Sequence, residues 1–105
     1  MNGLEVEILP SAKEDLRRGF SFYEHQSLGL GLYFVDKLSI ELQALQFTAG
    51  IHSKRGKLFR LKSKIFPYSV YYGIIDSVVY VSAILDARQD PSKIQEREKK
   101  IQSQF

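Results

Sequence analysis

Basic residues recur at every second position in one stretch of this chain, where Arg60, Lys62 and Lys64 alternate with apolar or small residues. Alternate residues of a β-strand share one face of the sheet, so these three side chains are expected to stand together. Arg88 follows the last strand-like run, at the point where that strand should end. Such a cluster can bind phosphate groups or carboxylates, and it is the clearest indication of chemistry in the sequence.

The basic stretch extends beyond these residues. No acidic residue occurs between Glu41 and Asp76, and the same interval contains Lys54, Arg55 and Lys57. Two interpretations fit this distribution. One is a solvated, positively charged strand that keeps a sheet edge from aggregating. The other is a binding face for phosphate or acidic side chains.

Composition predicts a single globular domain over residues 1–105, with 44% hydrophobic and 26% charged residues and a net charge of +3. Cysteine is absent and the only histidines are His25 and His52, so thiol chemistry is excluded and neither a metal site nor a cofactor is expected. The apolar runs are far shorter than the ~20 residues of a membrane span, and the first residues lack the basic region of a signal peptide. We therefore expect a cytoplasmic protein with no membrane partner.

The first half of the chain predicts a strand followed by two helices. Residues 4–9 alternate apolar and acidic side chains, which is typical of a half-buried strand. Ser11 and Glu14 have the spacing of a capping box, so the first helix should begin there. Its apolar stripe consists of Ala12, Leu16, Phe20 and Tyr23.

A turn at residues 25–29 then leads to a second helix over about residues 31–47. Two amphipathic helices joined by a short turn should pack antiparallel. The apolar face of the second helix consists of Phe34, Val35, Leu38, Leu42 and Leu45.

The second half predicts a loop over residues 48–57 and three strands over residues 58–65, 68–75 and 78–85. Short turns between these strands favour an antiparallel meander. The predicted class is therefore α+β: an N-terminal strand and an antiparallel helical hairpin packed on an antiparallel sheet, in the order β-α-α-β-β-β.

A weak C-terminal helix completes the predicted order. Asp90 and Pro91 form a typical helix start, and residues 91–105 read as a marginal helix. Ile94, Ile101 and Phe105 give it only a thin apolar stripe, so the helix should dock on the body, dock on a partner, or fray.

Four segments together resemble the RelE/ParE superfamily of toxins from type II toxin–antitoxin modules, and the ParE-like or plasmid stabilization proteins in particular. In chain order they read S-A-K-E-D-L, F-Y-E-H-Q-S-L-G-L-G, F-P-Y-S-V-Y-Y and A-I-L-D-A-R-Q-D-P. The similarity runs from Glu5 to Arg97. It implies a toxin that a cognate antitoxin neutralises by wrapping a disordered segment over the hairpin and sheet.

This resemblance also implies partners and residue roles. An acidic antitoxin segment would suit Lys54, Arg55 and Lys57, and operator DNA would be reached only through the antitoxin. Target or nucleic-acid contacts would fall on the second basic group, Arg60, Lys62, Lys64 and Arg88. The target would be DNA gyrase for a ParE-like toxin, or the ribosome and its mRNA for a RelE-like one.

RelE-like toxins are metal-independent endoribonucleases, and this sequence departs from their pattern. They carry an arginine where this chain has Ser69 and a tyrosine where it has Ile94, while Arg88 fits the second arginine and is the one catalytic candidate. Neither a serine hydroxyl nor an isoleucine can replace those groups. Tyr71, Tyr72 and His52 could replace these groups, but residues of these types at such positions are more often core or solvated.

The departures favour ParE-like inhibition of gyrase without RNA cleavage. A RelE-type nuclease, a non-toxic family member and an unrelated RNA-binding sheet with a stacking aromatic at Tyr68 are the alternatives.

Overall fold

A computed structural model describes residues 3–105, which form five strands and three helices. In chain order these elements are β1 (Glu5–Ile8), α1 (Pro10–Gln26), α2 (Leu30–Thr48), β2 (Ser53–Arg55), β3 (Leu58–Lys62), β4 (Tyr68–Ile75), β5 (Val78–Asp86) and α3 (Pro91–Gln102). The strands make one sheet in the order β1-β5-β4-β3-β2. The α1–α2 hairpin packs on one face and α3 on the other. The predicted α+β class is confirmed.

The sheet is mixed rather than wholly antiparallel. Strands β2 to β5 form the predicted antiparallel meander, but β1 pairs with β5 in parallel, from Glu5 opposite Val78 to Ile8 opposite Val81. Tight turns dictate antiparallel neighbours, whereas no turn joins β1 to β5. The direction of β1 was therefore outside what the turn pattern could predict.

Short-range details at two places differ from the sequence interpretation. The predicted loop over residues 48–57 contains strand β2, because Gly56, at φ +67°, allows a tight turn that folds β2 onto β3. Strand β3 ends at Lys62 instead of residue 65. There the Ser63 hydroxyl accepts the backbone N–H groups of Ile65 and Phe66, which form a turn that leaves the sheet.

The predicted capping box at the start of α1 is wrong. The helix begins at Pro10, its N-cap is Leu9, and no side chain caps it. The Ser11 hydroxyl donates instead to the carbonyl oxygen of Ser82 at 2.7 Å, and Glu14 pairs with Arg17. The Ser11 hydrogen bond therefore fixes α1 to β5 instead of satisfying the helix's own N–H groups.

Strand β5 buries both of its faces, and a β-bulge at Ser82 changes which residues lie on each. Tyr71 pairs with Ala83 and Tyr72 with Val81, so Ser82 is an extra residue on β5. Before the bulge, Val81 packs under the helical hairpin, and after it Ala83 packs under α3. Strand β5 thus contributes to both cores, which explains why it is the most hydrophobic strand of the sequence.

The two long helices approach each other closely at glycines. A Cβ atom on Gly19 would lie 2.5 Å from the Phe34 ring, and one on Gly31 would lie 2.7 Å from the Phe20 carbonyl oxygen. The Glu24 carboxylate accepts the backbone N–H of Gly31 at 3.0 Å and so holds the turn between the helices. The predicted turn and the predicted core face of α2 are both observed.

Helix α3 docks on the body. Ile101 is buried, and Ile94 and Phe105 pack against the same cluster on the sheet. Gly73 of β4 leaves room for the Phe105 ring, since a Cβ atom there would lie 2.6 Å from it. The Asp90 side chain accepts the Ser92 N–H at 3.0 Å, as expected for the predicted helix start.

A buried ion pair ties the helical hairpin to α3. Asp15 is 6% exposed and accepts two hydrogen bonds from the Arg97 guanidinium, at 3.0 and 2.7 Å. Its second oxygen also accepts the Ile84 N–H at 2.9 Å. The sequence pattern had put Asp15 off the buried stripe of α1, because its partner lies 82 positions further along the chain.

Replacing Arg97 with Leu should destabilise the protein strongly, because Asp15 would remain buried without its cation. Loss of one partner of a buried pair typically costs about 3–5 kcal/mol. Urea unfolding followed by circular dichroism would measure this loss. The control is Arg17→Leu, which breaks the exposed pair with Glu14 and should cost less than about 1 kcal/mol. Equal losses for the two variants would contradict the assignment.

Candidate binding surfaces

The three basic residues predicted to share one face of β3, Arg60, Lys62 and Lys64, lie in three different environments. Arg60 and Lys62 lie across from Tyr71 and Ser69 of β4. Arg60 is partly covered, and its Nε atom is buried without a hydrogen-bond partner in residues 3–105. Lys62 is exposed. Lys64 lies beyond the strand, in the turn, so the three side chains do not form the single face expected from their spacing.

Polar side chains of helix α3 contact the sheet and the β2–β3 hairpin near Arg60. The Tyr71 hydroxyl donates to Glu98 at 2.8 Å, and Arg55 Nε lies 3.4 Å from the same carboxylate. One turn further on, the Gln102 side chain accepts the Lys57 N–H at 2.8 Å. These contacts attach the β2–β3 hairpin to α3, so this side of the sheet is closed in the structure.

The residues predicted to bind an antitoxin therefore lie on different sides of the β2–β3 hairpin. Arg55 faces α3 through Glu98. Lys54 lies on the other side, with its Nζ atom 4.7 Å from the centre of the Phe59 ring. Lys57 is exposed at the turn. The role of these residues in partner binding stays a prediction.

Arg88 lies where it was expected, just after β5, but its guanidinium is already paired. Its Nε and Nη2 atoms donate to the two oxygens of Asp86 at 3.0 and 2.9 Å. These hydrogen bonds lower the pKa of Asp86 and raise that of Arg88. The guanidinium also lies 5.7 Å from the centre of the Phe22 ring. Arg88 is thus a charged side chain whose guanidinium is held by Asp86, and it is not free to bind a phosphate group.

The departing position Ser69 and the possible substitutes Tyr71, Tyr72 and His52 are buried or half-buried. Ser69 and Tyr71 lie in the sheet beneath α3, and burial raises the pKa of Tyr71 to about 12. The Tyr72 hydroxyl lies 2.5 Å from His52 Nδ1 and accepts the Gly50 N–H at 2.9 Å. Desolvation lowers the pKa of His52. Tyr71 lies across from Arg60, but its hydroxyl already donates to Glu98.

An apolar groove runs between α2 and β3, and the sequence analysis did not predict it. Its volume is about 440 Å³, and Lys62 and Lys64 are at its rim. Glu41 also lines it, but its carboxylate accepts the Ser63 hydroxyl and the Lys64 N–H. The apolar side chains of the groove are Ile40, Ala44, Ile51 and Leu61.

Large exposed apolar side chains mark this groove. Ile40 is 62% exposed and Ile51 is 77% exposed. Both fall off the predicted core stripes, and this is the signal by which sequence alone could have found the surface. Contiguous exposed apolar residues with a polar rim are typical of protein-binding sites.

Two further searches of the described chain gave negative results. Residues 3–105 contain no group of three His, Asp or Glu side chains close enough to hold a metal ion. No helix in the same range is long and apolar enough to cross a membrane.

Comparison with known proteins identifies the fold. No family model matches the sequence, and no curated protein matches it. A solved structure described as a chromosomal ParDE TA system from P. aeruginosa contains a chain that superposes with a TM-score of 0.75. At 17% sequence identity, the match covers 81% of this chain and 97% of that one. The present protein therefore has the fold of a ParDE component.

Buried tyrosines should make stability fall at alkaline pH. Burial raises the pKa of both Tyr68 and Tyr71 to about 12, above the ordinary value of 10.0. The folded state thus favours the neutral phenols, so this contribution is complete below about pH 10 and is lost as the pH rises towards about 12. Each ring accounts for on the order of 2 kcal/mol. Urea unfolding across this pH range should show the decline, and Tyr71→Phe should make it shallower. An unchanged slope in that variant would contradict the assignment.

Proposed function

We propose that this chain is the toxin of a type II toxin–antitoxin module, and that it acts in the ParE manner by binding DNA gyrase without cutting RNA. The observation that carries the proposal is the fold, which superposes on a ParDE chain along almost the whole of that chain. The four sequence segments that resemble the RelE/ParE superfamily support the same class independently of the coordinates.

The sheet face opposite the hairpin supports binding over RNA cleavage. Metal-free cleavage needs a base for the 2′-hydroxyl, cations on the phosphate and an acid for the leaving oxygen. In this chain, the two departing positions are Ser69, which is buried, and Ile94, which packs into the α3 core. Arg88 is held by Asp86. The Tyr71 hydroxyl contacts Glu98 across from Arg60, but burial raises the pKa of Tyr71 to about 12 and keeps its hydroxyl protonated.

Helix α3 adds a steric argument. An RNA strand approaching the sheet on this side meets Glu98, whose negative charge opposes phosphate, and the packed side chains of Ile101 and Phe105. RNA binding there would require the Asp15–Arg97 pair and this apolar contact to break. Inhibition of a protein target by surface contact needs no such opening.

Two assays on the purified chain and one in cells test the target. We expect the chain to inhibit supercoiling by purified gyrase and to leave mRNA intact in a translating extract. After controlled induction in bacteria, pulse labelling should show DNA synthesis stopping while protein synthesis continues. Cleavage of mRNA that Arg88→Ala abolishes would establish the RelE-type alternative. Absence of any effect while folded protein accumulates would identify a non-toxic member of the fold.

We also propose that the groove between α2 and β3 receives an amphipathic segment of the antitoxin. Ile40 and Ile51 offer apolar contact, while Lys62 and Lys64 at the rim, with Lys54 nearby on β2, suit acidic residues. Strand β2 lies at the edge of the sheet, where an extended segment could add by backbone pairing. In this arrangement an acidic antitoxin segment would contact Lys54, Lys62 and Lys64, and Lys54 would have the antitoxin-binding role predicted for it.

An aspartate in the groove should prevent neutralisation. Ile40→Asp puts a charge into the apolar contact and should weaken antitoxin binding at least tenfold, as roughly expected for loss of a central apolar anchor. The matched control is Gln43→Asp, which adds the same charge at an exposed position of α2 outside the groove. Copurification with the cognate antitoxin, and rescue of growth by it, would measure the effect. Equal binding by the two variants would exclude the groove.

A further inference from the structure

His52, in the lining of the groove between α2 and β3, is held in one orientation by the sheet beneath it. The residue lies directly before β2 and is half-buried. Its Nδ1 atom is 2.5 Å from the hydroxyl of Tyr72, a fully buried residue of β4. The two rings meet edge to face, with their centres 5.6 Å apart. The imidazole therefore has a fixed inner edge and an outer edge turned away from Tyr72.

The hydrogen bonds of Tyr72 determine which nitrogen of His52 carries the proton. The Gly50 N–H donates to the Tyr72 oxygen at 2.9 Å, so this oxygen already acts as an acceptor. A phenol hydroxyl has a single proton to donate, and within residues 3–105 the only other partner of this hydroxyl is His52 Nδ1. A buried hydroxyl whose proton had no acceptor would be costly. Nδ1 therefore accepts, and the proton of the neutral imidazole lies on Nε2.

The outer nitrogen of His52 is a neutral and accessible donor. Desolvation lowers the pKa of His52 from its ordinary value of 6.5, so the ring is neutral at neutral pH. Nε2 makes no hydrogen bond to residues 3–105, and it is not among the enclosed polar atoms of that range that lack a partner. Solvent therefore reaches it, and the groove presents an oriented N–H group without a charge.

The other polar groups of the groove are either engaged or flexible. The Thr48 hydroxyl donates back to its own helix at 3.0 Å, and the Glu41 carboxylate accepts two hydrogen bonds from the turn after β3. Lys62 and Lys64 carry their charges on long, flexible side chains at the rim. Among the described residues of the lining, His52 thus provides the one donor that is both fixed in direction and unused.

We propose that His52 anchors the acidic, amphipathic antitoxin segment in this groove by donating a hydrogen bond from Nε2–H to an oxygen of that segment, a backbone carbonyl or a carboxylate. The inference rests on the proposed binding of the antitoxin in the groove and names the residue that sets the register of the segment. Apolar contact with Ile40 and Ile51 has no preferred direction, whereas a hydrogen bond does.

The tautomer of His52 can be measured on the full chain alone. The sequence contains only two histidines, His25 and His52, so the imidazole nitrogen resonances of isotope-labelled protein are readily assigned. At neutral pH we expect a neutral His52 with a bare Nδ1 and a protonated Nε2. A proton on Nδ1, or fast averaging between the two nitrogens, would overturn the proposal.

Two amide substitutions separate the inner and outer hydrogen bonds of His52. In His52→Asn the amide oxygen can replace Nδ1 as the acceptor for Tyr72, but no donor extends into the groove. This variant should unfold at the urea concentration of the parent and bind the cognate antitoxin about fivefold more weakly or worse, as roughly expected for one lost hydrogen bond. In His52→Gln the amide nitrogen reaches the place of Nε2, but Tyr72 loses its acceptor. That variant should retain its affinity and unfold at a lower urea concentration.

The control is His25→Asn, which makes the same change at an exposed position of α1 outside the groove and should alter neither measurement. Normal binding by His52→Asn, with binding still weakened by Ile40→Asp, would overturn this inference and leave the groove as the antitoxin site. Normal binding by both variants would reject the proposed site itself.

The pKa of His52 in the complex with the antitoxin identifies the acceptor. A carboxylate bonded to Nε2–H would raise the pKa of His52 above its value in the free chain, because the negative charge favours the imidazolium. A backbone carbonyl, which brings no charge and adds burial, would leave the pKa of His52 unchanged or lower it further.

Discussion

Three elements meet at the carboxylate of Asp15. It lies on α1, accepts the backbone N–H of Ile84 on β5, and binds Arg97 on α3. The helical hairpin and α3 occupy opposite faces of the sheet, so this contact joins the two layers past the sheet's end. Because the carboxylate is buried, its charge must be matched, and the matching cation fixes the position of α3. The contact between Glu98 of α3 and the Tyr71 hydroxyl depends on that position.

The two faces of the sheet differ in what they expose, and the functional proposal depends on this difference. On the α3 face, the positions at which a nuclease would place its reacting groups are buried. The Tyr71 hydroxyl there donates its hydrogen bond to Glu98. The hairpin face retains exposed Ile40 and Ile51 beside basic residues. The proposal of binding without RNA cleavage rests on the first face, and the proposed contact with an acidic antitoxin segment rests on the second.

Sequence predicted the parts of the fold that depend on local pattern. Strand β4 has the predicted limits, and Asp90 caps α3 as its position before Pro91 indicates. The features that sequence could not predict depend on residues far away in the chain. Asp15 is charged and is buried only because Arg97 lies beside it, 82 positions further along the chain. The direction of β1 likewise depends on a neighbour 73 positions away, from Glu5 to Val78.

The bulge at Ser82 fixes which face of the sheet each later residue of β5 points to. The number of residues in β5 is therefore constrained, as well as their apolar character. Before the bulge the odd-numbered residues point to the hairpin, and after it they point to α3. Deleting or inserting one residue there would exchange the faces of Ile84 and Leu85, because side chains alternate along a strand. A one-residue gap in β5 is therefore more disruptive than exchange of one buried apolar residue for another of similar volume.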